Sequence, residues 1–156
     1  MSIHDRRAYK RRGILPDIHS EQGKLREEIG NVRQYDRSTK WIEVGTTGAP
    51  AFQNSWINFS SGSDGNHRAA FMRDAAGIVH LRGLIKTGTI GTAAFTLPIG
   101  FRPNVSPGFS LGYIRFACVS NGLFGSCRLD ANGLIVPEVG SSTWFDLAPV
   151  QFPAEL

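Results

Sequence analysis

The chain has 156 residues, of which 41% are hydrophobic and only 19% charged, with a net charge of +4 and 18 glycines. That length suits one domain with an appended segment, and so much glycine favours turns and bulges over long helices. No run of about 18 apolar residues exists to cross a bilayer, so no membrane partner is expected. The basic N-terminus lacks the apolar stretch and cleavage site of a secretory signal. Cys118 and Cys127 are too few for a disulfide framework, which fits synthesis in a reducing cytoplasm.

Charge alone divides the chain. Residues 1–40 hold ten basic and six acidic side chains, whereas residues 41–156 hold seven of each. The first zone, residues 1–16, is aperiodic, carries Arg6, Arg7, Lys10, Arg11 and Arg12, and closes on Pro16. It reads as an extended arm that orders along an acidic partner surface, with a solubilising tail as the plainer alternative. Nucleic-acid binding is disfavoured, because Tyr9 is the lone aromatic among these bases and no binding motif is present.

In the second zone, residues 17–40, Ile18, Leu25, Ile29 and Val32 recur at spacings that place them on one helical stripe. Asp17 suits an N-cap. Gly23 and Gly30 each weaken the helix by roughly 1 kcal/mol against alanine, and an isolated helix this short is marginal in water. The stripe is therefore expected to be buried by identical helices in a bundle, by a docking groove, or by the chain's own β domain.

From Trp41 onward the pattern is one of strands and turns, expected over Trp41–Val44, Trp56–Phe59, Ala69–Arg73, Ile78–Lys86, Ala93–Leu97, Phe109–Val119, Leu123–Asp130, Leu134–Pro137 and Trp144–Phe152. Short strands with closely spaced turns predict an antiparallel sandwich or barrel. Val79, Leu81 and Ile85 point one way, and His80, Arg82 and Lys86 the other. Asp74-Ala75-Ala76-Gly77 suits a type I turn ending in a left-handed glycine. Ser120-Asn121-Gly122 predicts a two-residue hairpin, and Ala131-Asn132-Gly133 a second. With Asn121 and Gly122 at the centre of the first, Phe116 faces Cys127 and Cys118 faces Gly125. The cysteines then sit diagonally at roughly 7–8 Å, too far for a regular disulfide, and are expected as two buried free thiols.

No catalytic, cofactor or metal site is expected. His4, His19, His67 and His80 are scattered and neither cysteine belongs to a CxxC pair. Neither a Gly-x-Ser-x-Gly nucleophile nor a phosphate-binding glycine loop occurs. Asp64, Asn66 and His67 share a polar loop and offer ion ligands on paper, but a solvated loop is the plainer reading. Glu43, Asp64, Asp74, Asp130, Glu138 and Asp146 show no spacing that pairs them. Trp41, Trp56 and Trp144 are core aromatics by default, with a saccharide platform or a subunit interface as alternatives.

Three stretches carry a resemblance. Thr47-Gly48-Ala49-Pro50-Ala51-Phe52-Gln53-Asn54-Ser55-Trp56-Ile57-Asn58-Phe59 resembles the opening of a β domain common in bacteriophage tail proteins. Val79-His80-Leu81-Arg82-Gly83-Leu84-Ile85-Lys86-Thr87-Gly88-Thr89-Ile90-Gly91 is similar to that family's next strand pair. Phe95-Thr96-Leu97-Pro98-Ile99-Gly100-Phe101-Arg102-Pro103 resembles its Thr-Leu-Pro-x-Gly-aromatic-Arg-Pro signature. The resemblance spans about residues 41–152 and implies a phage tail-fibre, receptor-binding or baseplate component. That means a homotrimer with a jelly-roll-like antiparallel sandwich head, carried on the virion and adhering to a host-surface glycan or protein. The resemblance does not cover residues 1–40; alongside it, residues 1–16 are expected to be the anchoring arm that meets other virion structural proteins, residues 17–40 the trimer helix and linker, and residues 41–156 the head. No ligand residue transfers. A structural baseplate or capsid-decoration protein without a receptor is the alternative, and a cellular carbohydrate-binding module is a third. In the signature itself, Pro98 ends a strand, Gly100 permits a turn, and Arg102 is expected to bond loop carbonyls or a neighbouring chain's carboxylate.

Overall fold

The protein's structure, a computed structural model, describes residues 40–104 and 112–155. The arm residues Arg6, Arg7, Lys10, Arg11 and Arg12 lie outside the described residues. So do the helical stripe Ile18, Leu25, Ile29 and Val32 and the start of the strand expected from Phe109. Ser38–Leu156 forms a compact unit of its own.

The described residues are all-β, without a helix. Eleven strands follow one another: β1 (Ile42–Glu43), β2 (Ile57–Asn58), β3 (Ala70–Arg73), β4 (Ile78–Arg82), β5 (Leu84–Lys86), β6 (Phe95–Thr96), β7 (Tyr113–Ser120), β8 (Leu123–Asp130), β9 (Leu134–Val139), β10 (Phe145–Asp146) and β11 (Gln151–Pro153). They form a four-stranded sheet, β1-β3-β4-β11, and a seven-stranded sheet, β2-β5-β10-β7-β8-β9-β6. The pairings in both are antiparallel. Phe71, Val79, Leu81 and Phe152 from the smaller sheet share one apolar core with Ile85, Phe95, Cys127, Leu129, Ile135 and Phe145 from the larger, joined by Trp56, Leu97 and Leu147.

Two runs that read as single strands are each divided between the sheets. Ile78–Lys86 breaks at Gly83 into β4 and β5, and Trp144–Phe152 breaks across Leu147–Val150 into β10 and β11. The two corners lie side by side: Leu147 N donates to Gly83 O at 3.1 Å and Leu81 N to Val150 O at 3.1 Å. Gly83 has a φ of +95, and a Cβ there would sit 2.3 Å from the Arg68 carbonyl oxygen. Glycine is what the corner requires, both for the left-handed backbone and for the close approach.

The turn chemistry sets the register. Asn121 and Gly122 have φ of 50 and 77, the two left-handed residues of a type I′ turn. The expected pairs Phe116 with Cys127 and Cys118 with Gly125 are present. Both cysteines are free and buried. Burial pushes the Cys118 thiol up to about 12 and that of Cys127 well above its ordinary value, so neither is a nucleophile at neutral pH. The Ala131–Gly133 connection is a three-residue loop, not the two-residue turn expected. Leu129 pairs with Ile135, Gly133 N donates to Asp130 O at 2.8 Å, and of these loop residues only Gly133 has a positive φ. A type I′ turn needs two such residues, so a type I turn with a left-handed glycine forms instead. Asp74–Gly77 closes in the expected way, with Gly77 N on Asp74 O at 3.0 Å and Gly77 at φ 83.

Gly83→Ala is expected to destabilise the fold by about 4 kcal/mol or more, since it combines backbone strain with a collision. Gly48→Ala is the control: its φ is +83 but no atom lies within 4 Å of the added Cβ, so about 1–2 kcal/mol of strain should be the whole cost. Urea unfolding of both variants checks this; equal losses would show that the contact with Arg68 does not matter.

Candidate functional site

Candidate interaction surfaces are built on the outward sides of the sheets. In β7 and β8 Arg115 lies directly opposite Arg128, an arrangement that is repulsive by itself. A bulge in β9 answers it. Ser126 pairs with Val139 and Cys127 with Pro137, leaving Glu138 as the extra residue. Pro137 has no N–H to give to a ladder, which suits it to this position, and the bulge brings Glu138 to the two arginines. Its carboxylate accepts from Arg115 Nε at 2.6 Å and Arg115 Nη2 at 3.1 Å, and from Arg128 Nη1 at 3.4 Å. Arg128 Nε lies 3.0 Å from Asp130 Oδ1. Arg115 Nη1 donates to the Tyr113 hydroxyl at 3.1 Å, and its guanidinium sits 4.6 Å from the Tyr113 ring centre. The hydrogen bonds from Arg115, with the charges of both arginines, hold the Glu138 carboxyl below its ordinary value.

Towards the β7–β8 turn the same sheet turns apolar. Val119 pairs with Phe124, Val139 stands opposite Ser126 beside them, and Leu123 projects from the turn. Leu123 and Phe124 are 74% and 66% exposed, and Val119 and Val139 nearly half exposed. These neighbouring exposed apolar side chains make this end of the sheet a candidate contact surface.

The second surface is a shallow cleft of about 510 Å³ beside β1, lined by Trp41, Ile42, Glu43, Thr46, Thr47, Gly48 and Ala49. The Arg82 guanidinium lies 4.2 Å from the Trp41 ring centre, and Arg68 Nη1 lies 3.6 Å from Glu43 Oε2.

Other residues singled out from sequence have structural work. Trp56 is fully buried against Gly88, whose added Cβ would fall 2.0 Å from the ring. The Trp144 carbonyl accepts from Asn121 N at 3.1 Å and Ser120 Oγ at 3.2 Å. Arg102 Nε donates to the Leu97 carbonyl at 3.1 Å. The same turn is held by Arg73 Nη1 on Gly100 O at 3.1 Å and by Gly100 N on Glu155 Oε1 at 2.8 Å. Asp64 accepts from the Ser60 hydroxyl, which draws its pKa down, and from Asn66 N at 3.2 Å; His67 beside them is exposed. His80 Nε2 meets Asp74 Oδ2 at 2.8 Å, and that contact lowers the Asp74 pKa. Among the described residues no group of three or more His, Cys, Asp or Glu side chains is placed to hold a metal ion.

The apolar patch is not among the sites expected from sequence, yet a signal for it exists. Phe116-Ala117-Cys118-Val119 and Leu123-Phe124 are apolar at both parities, and a strand with one buried face should alternate.

No protein-family model matches the chain, and no curated protein matches it. Among solved structures it is similar to the receptor binding protein (gp15) of Listeria phage PSA, with a TM-score of 0.55 and 13% identity, over 100% of this chain and 89% of that one. At that identity the two chains share a fold.

Glu138→Gln is expected to cost about 1 kcal/mol at neutral pH, by leaving Arg115 and Arg128 opposed. A carboxyl whose folded pKa is depressed stabilises above its unfolded value, and that contribution fades as the pH falls through the folded one. The gap between wild type and variant should therefore close as the pH drops below the ordinary glutamate value of 4.5. Thermal unfolding of both proteins between neutral and acidic pH reads it; a gap that stays constant would remove the ionic explanation.

Proposed function

We propose that this chain is a bacteriophage tail appendage protein whose β head adheres to the host surface. The fold shared with a phage receptor binding protein over 100% of this chain carries the reading, and the tail-protein signature around Phe95–Pro103 supports it. In this reading the two sheets wrap as a jelly-roll-like sandwich. Residues 1–16 attach the protein to other virion structural proteins, and residues 17–40 bundle about a threefold axis in a homotrimer. The head binds a glycan or protein of the host and performs no covalent chemistry.

The exposed Val119, Leu123, Phe124 and Val139 are assigned to contacts between copies. Residues 41–156 carry seven basic and seven acidic side chains, so the heads do not repel one another through net charge. Beside the patch, Arg115, Arg128, Glu138 and Asp130 are already paired within one chain, leaving little unbalanced charge to oppose a second copy.

Purified full chain incubated with the host bacterium is expected to block adsorption of the intact phage in a dose-dependent way. Absence of both cell binding and competition would leave a structural baseplate or capsid-decoration role in its place. Sedimentation equilibrium at micromolar concentration should return three times the chain mass, and Phe124→Asp should weaken association about tenfold or more. A monodisperse wild-type monomer would refute the trimer, and an unchanged variant would move the contact elsewhere.

A further inference from the structure

We propose that the cleft beside β1 is a saccharide subsite that takes one pyranose residue of a surface polysaccharide. This deepens the adhesive reading and rests on it only for the source of the sugar.

Most carboxylates of the head are already engaged. Asp64, Asp74, Asp146 and Glu155 each accept a backbone N–H at 3.2 Å or less, and Asp130 and Glu138 each lie within 3.0 Å of an arginine nitrogen. These six have structural partners. Glu43 differs: among the described residues the cation paired with it, Arg68, stands at 3.6 Å, beyond hydrogen-bond length. Arg68 therefore offsets the charge of Glu43 without occupying its lone pairs. The side chain of Glu43 is 40% exposed and lines the cleft.

Trp41 supplies the complementary surface. An indole offers a flat apolar face that also tolerates water, which suits the axial C–H bonds of a pyranose ring. Arg82 steadies it: the guanidinium stacks 4.2 Å from the ring centre, and Arg82 Nε is buried without a hydrogen-bond partner among the described residues. The far wall is a rigid turn. Ala49 N donates to Thr46 O at 3.0 Å, Gly45 N to Pro50 O at 2.8 Å, and Thr46 Oγ1 to Glu43 O at 2.8 Å. That last bond leaves the Thr46 oxygen free to accept. The space beyond Gly48 is open, with no atom within 4 Å of an added Cβ.

This lining selects its ligand. A carboxylate and two threonine hydroxyls recognise vicinal hydroxyl groups. The lining mixes these polar groups with the apolar surface of Trp41 and Ile42, as the hydroxylated edge and C–H face of a pyranose require.

The test is a titration of the full chain with D-glucose, D-galactose, N-acetyl-D-glucosamine and L-rhamnose, followed by the indole N–H resonances. At least one sugar is expected to shift the Trp41 resonance while that of buried Trp56 stays fixed. Glu43→Gln, which keeps the side-chain shape, and Trp41→Ala should each weaken that sugar by about tenfold or more. A Trp41 resonance unmoved by all four sugars, or a Glu43→Gln protein that binds as wild type does, overturns the subsite. If the protein blocks phage adsorption and Trp41 does not respond, the subsite falls and the adhesive reading stands. If Trp41 responds and adsorption is not blocked, the subsite stands and the adhesive reading falls.

Discussion

At Gly83 the chain leaves one sheet and enters the other, with the Arg68 carbonyl occupying the space a side chain would need. The return corner, Leu147 to Val150, is hydrogen-bonded to it from both sides. Neither sheet can be displaced without breaking these bonds, because β4 and β5 are continuous chain and so are β10 and β11. The corners also set what is buried. Leu81 and Ile85 lie in different sheets, yet both are in the core, since the change of direction at Gly83 preserves their alternation. Small sheets with strands of two or three residues gain little from their own ladders. Sharing one core across fixed corners is what makes such short strands sufficient.

With the inner faces committed to the core, interaction chemistry is left to the outer ones. On the larger sheet the bulge at Glu138 decides how that surface is divided. Without it, Arg115 would face Arg128 with only Asp130, which is bound to Arg128, to offset the pair. With it, one carboxylate meets both, and Val139 is turned outward beside Phe124 and Val119. One irregularity in one strand therefore produces a charge-balanced half and an apolar half on the same sheet, a pattern suited to a protein partner. The smaller sheet takes a different course. Arg82 projects outward from β4 and fixes the indole of Trp41 at its edge, so that surface is aromatic and polar rather than apolar.

Local chemistry was the part of this fold written most plainly in the chain. Asn121-Gly122 demanded a type I′ turn, and the cysteine positions and the β7–β8 register followed from it. The role of Arg102 on a loop carbonyl followed from the prolines and glycine around it. The sheet switch in Ile78–Lys86 was hidden, because Val79, Leu81 and Ile85 keep strict alternation through Gly83 and nothing in a period of two records a corner. In Trp144–Phe152 a signal was present: Phe145 and Leu147 are buried at one parity, Val150 and Phe152 at the other, and Pro149 marks the slip. The Trp41 cleft was legible in part: its lining falls within the single stretch from Trp41 to Ala49, and a saccharide platform was among the readings of Trp41. The arginines beside it were not legible, because they come from β4 and the loop before β3, and only the pairing of β3 with both strands brings Arg68, Arg82 and Trp41 together.

The two surfaces imply different energetics. The cleft is shallow and leaves a bound sugar partly in water, so a single site gains little beyond the cost of ordering its ligand. Useful adhesion from such a site requires several of them on one rigid body, where the first contact raises the effective concentration for the next. If heads associate through Phe124 and its neighbours as proposed, that association would supply the body, and the cleft lies on the other sheet. On the proposed reading, weakening the contact between copies and weakening the cleft act on the same quantity, the number of sugars held at once. Loss of either should therefore reduce adhesion more steeply than it reduces the affinity of one head for one sugar.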